Sequence, residues 1–228
     1  MRKFLLYLSV FMFSTAGAET IAIIGTGDVG SALGPEFAEQ GHTIIYGSRE
    51  PSRSSVQELI GKTGSGTTAT TPFAAAARAD VVVLAVPGVL VAEITKGLGD
   101  LSDKIIIDPT NPLERKLLTM THAAETSNTA IIQEIAPDAH VVKAFNTLGW
   151  KIMVDPPEAG GPVSVPLAGD SGKAKDFVSE LIEGMDLEPI DVGPLEHARW
   201  LEGMAILLVN NNYMSLRPSF NFHLRKTD

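Results

Sequence analysis

Short apolar runs of strand length alternate along this chain with stretches whose apolar residues recur three and four positions apart. The first run, Thr20-Ile21-Ala22-Ile23-Ile24, predicts a strand, and 31–40 that follow it have helical character. A second run, Thr43-Ile44-Ile45-Tyr46, predicts the next strand, and Val56, Leu59 and Ile60 mark the inner face of a helix over 52–60. Further on, strands are predicted at 67–70, 81–86, 104–108, 139–145, 162–168 and 188–192. Helices are predicted at 72–77, 90–97, 128–136, 172–185 and 194–214. The run Val81-Val82-Val83-Leu84-Ala85-Val86 does not alternate, as fits a central parallel strand buried on both faces, whereas Pro189 puts the last strand at an edge. Residues 113–128 show neither period and read as a long mobile loop; 155–161, rich in Pro and Gly, read as a connection. This alternation predicts an α/β fold with a doubly wound, mostly parallel sheet and a C-terminal helix. No linker or repeat divides it, so a single domain over 19–214 is expected, with 215–228 as a tail.

The junction between the first strand and helix carries the chemistry. Gly25-Thr26-Gly27-Asp28-Val29-Gly30 has the Gly-x-Gly-x-x-Gly spacing in a strand–turn–helix–strand context, which is the dinucleotide fingerprint of Rossmann-type folds. Gly25 allows the tight turn, Gly27 lets a pyrophosphate approach the backbone, and Gly30 lets the helix lie close on the strand. The free amides and positive dipole end of the helix start supply an anion site.

The end of the second strand selects the nucleotide. An NAD site places Asp or Glu there for the ribose 2′-hydroxyl; this chain has Ser48-Arg49, with Arg53 four residues on. A hydroxyl and a guanidinium bind a 2′-phosphate by charge-assisted hydrogen bonds, so NADP is expected over NAD, with Glu50 turned to solvent. Ligands in such sheets bind beyond the strands' carboxyl ends, and three of these ends, Val86-Pro87, Thr110-Asn111 and Asn146-Thr147, face one crevice. Turn chemistry alone would also account for the two asparagines.

A formal net charge of −9 argues against nucleic acid or anionic membrane as partners. With no cysteine, disulfides, thiolate catalysis and Cys-ligated metals are excluded. The five histidines, His42, His122, His140, His197 and His223, have no ligand or triad spacing, so no metal is expected; His197 is the first to test and His122 lies in the mobile stretch. No catalytic side chain is assigned. Residues 1–18 read as a signal peptide: Arg2-Lys3, an apolar run over 4–13, then Ala16-Gly17-Ala18. That run is too short for a stable membrane span and implies an exported, periplasmic protein. An uncleaved anchor, or an over-long gene start on a cytoplasmic protein, are the alternatives.

Taken with Leu84-Ala85-Val86-Pro87, Asp108-Pro109-Thr110-Asn111-Pro112-Leu113, Val142-Lys143-Ala144-Phe145-Asn146-Thr147-Leu148 and Gly193-Pro194-Leu195, these motifs make residues 20–213 resemble the NADPH-dependent F420 reductases (F420:NADP oxidoreductases). The chain is also similar to the reductase domain of the STEAP metalloreductases. The resemblance implies hydride transfer between NADP(H) and a small redox cosubstrate, F420 or a flavin such as FMN or FAD, stacked on the nicotinamide. It places Thr26, Asp28 and Val29 at the phosphates, Ser48, Arg49 and Arg53 at the 2′-phosphate, and Val86, Pro87, Leu90 and Asn111 along the ribose and nicotinamide. Asn146 lies near the acceptor. Asp28 departs from the small or amide residue usual there and must turn outward. Two rivals stand beside this reading: an NADP-dependent dehydrogenase or imine reductase of a small metabolite, and a non-catalytic NADP-binding module. The broad apolar face of the last helix covers the sheet or pairs with a second copy as a homodimer.

Overall fold

A computed structural model of the chain describes residues 17–64, 66–114, 119–121, 125–214, 220–225 and 227, with 210–214 as backbone only. Most of the expected signal peptide, His122 and parts of the 113–128 loop and the tail lie outside the described residues. No helix among the described residues is long and apolar enough to cross a membrane.

The strands are β1 (Thr20–Ile24), β2 (Thr43–Gly47), β3 (Thr68–Thr70), β4 (Val81–Val83), β5 (Ile105–Asp108), β6 (Leu113–Glu114), β7 (Thr119–Met120), β8 (His140–Lys143), β9 (Ser164–Gly169) and β10 (Glu188–Asp191). The helices are α1 (Asp28–Glu39), α2 (Ser54–Thr63), α3 (Pro72–Ala77), α4 (Val91–Lys96), α5 (Asn128–Ile135), α6 (Trp150–Val154), α7 (Gly172–Glu183) and α8 (Ala198–Met214). Eight strands form one sheet in the order β10-β9-β8-β5-β4-β1-β2-β3, while β6 and β7 make a small separate ribbon. The order reverses beside β1, where the glycine turn lies, so the sheet is doubly wound.

Strand register explains why the central runs do not alternate. Ile21 and Ile23 of β1 pack on one face with Phe37 of α1 and Tyr46, while Ala22 and Ile24 pack on the other with Ala75, Ala76 and Leu84. Both faces are covered, so each position is apolar whichever way it points. β10 is the edge, as Pro189 implied.

Four features differ from the pattern-based expectation. β4 ends at Val83 rather than 86: Leu84 still bonds Ile107 of β5, but Val86 N–H turns back to the Leu84 carbonyl at 2.9 Å and the chain leaves the sheet. β8 ends at Lys143 because Phe145 adopts a left-handed φ of 63°. The connection 155–161 contains a 3-10 turn at Pro156–Ala159, preceded by the five-residue α6 packed beside α1. This segment stays at the carboxyl edge, and a helix so short cannot carry the chain back across the sheet. β9 therefore starts at that edge and pairs antiparallel with β8, Val142 opposite Gly169.

The tail also returns to the sheet. Ser164 N–H donates to the Phe222 carbonyl at 3.0 Å, and its hydroxyl accepts from Leu224 N–H at 2.8 Å. Residues 220–225 thus close the start of β9.

Candidate active site

The glycine turn has the geometry its spacing demands. Gly25 sits at φ 110° and donates to the Gly47 carbonyl at 3.0 Å, and a Cβ there would strike the Ala85 carbonyl. A Cβ at Gly30 would strike the Gly25 carbonyl, which fixes how closely α1 lies on the strand end. At Gly27 a Cβ would meet nothing within 4 Å: the space before it belongs to solvent or a ligand. Gly27 is the N-cap of α1 and supplies no side-chain hydrogen bond, so the amides of the first turn stay open to an anion. Asp28 is exposed, and Val29 is half-buried over the core.

Beside this turn the carboxyl end of β2 delivers the polar set. Ser48 is only 7% exposed; its N–H holds Thr70 of β3 and its hydroxyl accepts from Glu50 N–H at 3.2 Å. Arg49, Glu50 and Arg53 are exposed. Arg53 Nη2 reaches across to Thr26 Oγ1 at 3.3 Å, joining the start of α2 to the glycine turn. The structure therefore brings Thr26, Ser48, Arg49 and Arg53 to one side of the helix start. These residues fit a dinucleotide with a 2′-phosphate: open amides for the pyrophosphate, and two cations and a hydroxyl for the extra charge.

At the other end Val86 is half-buried, while Pro87 and Leu90 are exposed beside it. The loop after β4 lies tightly on the loop after β5, since a Cβ at Gly88 would strike the Asn111 carbonyl. Asn111 and Asn146 are clamped together: Asn111 Nδ2 donates to the Asn146 carbonyl at 3.0 Å, and Asn146 Nδ2 to Asn111 Oδ1 at 3.0 Å. Asn146 Nδ2 also reaches the Leu201 carbonyl of α8 at 2.9 Å. Turn chemistry alone does not describe them, because their side chains join β5, β8 and α8. The left-handed Phe145 just before Asn146 is backbone strain of the kind that gathers at functional sites.

Beneath this pair lies a group of residues to which the sequence reading gave no role. Lys143 Nζ is 2.8 Å from Asp108 Oδ2 and 2.8 Å from Glu202 Oε1, with all three side chains 0% exposed. It donates to the Thr110 carbonyl as well, at 2.6 Å. Asp108 further accepts from Thr110 N–H, Thr110 Oγ1 and Thr129 Oγ1. Glu202 Oε1 accepts from Asn128 N–H at 2.9 Å, and Asn128 Nδ2 bonds Gly88 and Thr110. Burial pulls the Lys143 pKa down, but the two carboxylates outweigh it and hold the ammonium above its ordinary value. Burial pushes the Glu202 carboxyl up; Lys143 opposes this and Asp108 adds to it. A signal for the cluster was present: a lysine inside the apolar run 141–145, and a glutamate between the apolar positions Leu201, Ala205 and Leu208 of the last helix.

His197, the histidine singled out in the sequence, shares its Nδ1 with the Val192 carbonyl at 2.5 Å and lies 3.9 Å from Glu196, an ordinary turn role. A cavity of about 450 Å³ opens between Glu125–Ser127 at the start of α5 and Pro194–Glu196, apart from the glycine turn. No group of His, Cys, Asp and Glu able to hold a metal occurs among the described residues.

Fold and site together define an NADP-dependent oxidoreductase. A family model described as NADP oxidoreductase, coenzyme F420-dependent, matches residues 20–112. The F420-dependent NADP reductase of Methanothermobacter thermautotrophicus is 32% identical over 211 residues, covering 84% of this chain and 88% of that protein. The chain belongs to the F420-dependent NADP reductase family. It is also 29% identical over 193 residues to the metalloreductase STEAP3 of Rattus norvegicus, where the match covers 84% of this chain and only 37% of the relative. A solved structure described as a putative F420-dependent NADP reductase from Arthrobacter sp. FB24 superposes with a TM-score of 0.83 at 28% identity, covering 92% of this chain and all of that one (100%).

Proposed function

We propose that the chain transfers a hydride between NADP(H) and a flat flavin-like acceptor, coenzyme F420 or a flavin (FMN or FAD), stacked on the nicotinamide. The observation that carries the NADP half is the open face of Gly27 at an uncapped helix start, with Ser48, Arg49 and Arg53 alongside. When bound, the nucleotide supplies the hydride chemistry; the protein binds, orients and shields. The first-turn amides of α1 hold the pyrophosphate, and Arg49 and Arg53 hold the 2′-phosphate with Ser48. Val86, Pro87 and Leu90 give an apolar wall to the nicotinamide end. The Asn111–Asn146 clamp gives it a floor whose amides cannot rotate freely. Positioning two rings at near-attack distance, roughly 3 to 3.5 Å, asks for no acid–base residue.

The test is to record NADPH oxidation with F420, FMN, FAD and a ferric chelate in turn. Turnover is expected with F420 or a flavin. Turnover with the ferric chelate alone would move the acceptor toward the metalloreductase relatives, and turnover with none would remove the flavin-like reading.

A further inference from the structure

Four buried polar atoms among the described residues have no hydrogen-bond partner: Asn146 Oδ1, Thr147 Oγ1, Arg199 Nε and Glu202 Oε2. They lie on two segments, the loop after β8 and the first turns of α8, which Asn146 Nδ2 joins through the Leu201 carbonyl at 2.9 Å. Unsatisfied groups in a native interior call for an explanation, and for Glu202 Oε2 the charge of the buried cluster bears on it.

Asp108, Lys143 and Glu202 bring two carboxylates and one ammonium into a volume with no solvent exposure. Were both acids ionised, the cluster would hold an uncompensated negative charge in a low-dielectric interior, which is costly. Asp108 accepts four hydrogen bonds, two on each of its oxygens. Glu202 differs between its oxygens. Oε1 accepts from Lys143 and from Asn128 N–H, as a carbonyl oxygen does, while Oε2 accepts from nothing. A neutralising proton would sit on Oε2, the oxygen that accepts no hydrogen bond.

The cluster's place gives that proton a use. Asp108 and Lys143 face each other in the last rung of the β5–β8 ladder, and Thr110, Asn111 and Asn146 follow directly at the crevice edge. A nicotinamide held at that edge is neutral when reduced and carries a positive charge when oxidised. We propose that Glu202 senses this charge: it keeps its Oε2 proton while NADPH occupies the crevice and yields it to solvent when NADP+ does, leaving the cluster one negative charge to face the cationic ring. The inference rests on the NADP(H) reading above. The direction in which burial moves Glu202, toward retention of its proton, agrees with it. The other charged groups on elements packed around α8 are Glu134 of α5, Glu196 and His197 of the preceding turn, and Arg199 of α8 itself. Glu134, Glu196 and His197 are at least partly exposed and so screened by solvent, Arg199 is partly exposed with its Nε buried, and β9 contributes none.

Calorimetric titration of the full chain with NADP+ and with NADPH, in buffers of different ionisation enthalpy, counts the protons released by each. The 2′-phosphate is common to both nucleotides and cancels in the difference. Wild type is expected to release more protons with NADP+ than with NADPH. Its NADP+ affinity relative to NADPH should rise with pH by roughly tenfold, the size of coupling between two unit charges across a partly buried site. Glu202→Gln, which keeps the shape and fixes the side chain neutral, should flatten both differences. Equal release from wild type, or a difference that persists in Glu202→Gln, would overturn the proposal. A second measurement needs no variant: the infrared difference spectrum between the two wild-type complexes should show a carboxylic acid carbonyl band only with NADPH, and its absence would also overturn it. Failure of wild type to bind either nucleotide is a separate result, which would remove the NADP reading itself.

Discussion

The two ends of the crevice are built by opposite means. The glycine turn offers backbone amides and exposed cations, with Arg53 tied to Thr26 by one side-chain hydrogen bond. The far end rests on a buried cluster: an ammonium between two carboxyl groups, with Asn128 and the asparagine clamp tying α5 and α8 to the strand ends. The first end has to let charge in from water and can be soft. The second has to hold a ring in register and is stiff, at the cost of a desolvated charge cluster. Changes at the soft end should therefore alter affinity with little effect on folding, whereas removing the cation from the stiff end should mainly cost stability.

The largest expected effect falls on the stiff end. Lys143→Met removes the cation and leaves Asp108 and Glu202 buried together without one, so the chain should lose about 3–5 kcal/mol of stability, measured from urea unfolding. A loss under about 1 kcal/mol would show that the cluster is not charged as described. At the soft end, Gly27→Val fills the space in front of the turn. Its φ of −85° suits any residue and a Cβ there meets no protein atom, so the fold should persist. Dinucleotide binding should fall at least about hundredfold, or roughly 3 kcal/mol, in a fluorescence titration. Unimpaired binding would place the pyrophosphate elsewhere. Arg49→Ala comes next, with about 1.5–3 kcal/mol lost for NADPH and almost none for NADH. An equal loss for both nucleotides would take Arg49 away from the 2′-phosphate.

The same contrast explains what could be read from the sequence. The soft end is encoded by neighbours in the chain: strand, glycines, helix and the Ser48-Arg49 pair lie within thirty-odd residues, and local sterics determine their arrangement. The apolar runs likewise revealed the central strands of the main sheet, because burial on both faces leaves little choice of residue. The stiff end joins positions that are 35 apart, as Asp108 and Lys143 are, and 74 apart, as Asn128 and Glu202 are. No local pattern pairs such residues; only a charge inside an apolar run betrays that a partner must exist. The early ends of β4 and β8 escaped for a related reason. Ala85-Val86 and Phe145 are as apolar as a strand, but the chain turns out of the ladder there, one hydrogen bond beyond Val83 and Lys143. The antiparallel β9 followed from a helix too short to show a period.

The smallest effect comes from a third place, which serves as a control because it belongs to neither end. His42 precedes β2 at the amino edge of the sheet, where its Nδ1 accepts from Glu19 N–H at 3.2 Å and its ring meets Phe177 edge-on at 5.7 Å. That hydrogen bond requires the neutral ring with its proton on Nε2, and burial lowers the pKa. The unfolded chain takes up a proton as pH falls below the ordinary histidine value of about 6.5, before the folded chain does. His42 therefore contributes stability that is fully present above that value and is lost as pH drops through the folded one. Urea midpoints for wild type and His42→Gln at pH 7.5 and at progressively lower pH should show a steeper decline in wild type, since the carboxylates common to both cancel in the difference. Identical slopes would mean that the imidazole is not held neutral. NADPH affinity should not follow this titration, because protonation at the amino edge loosens the entry to β1 while both ends of the crevice stay assembled on the opposite edge of the same sheet.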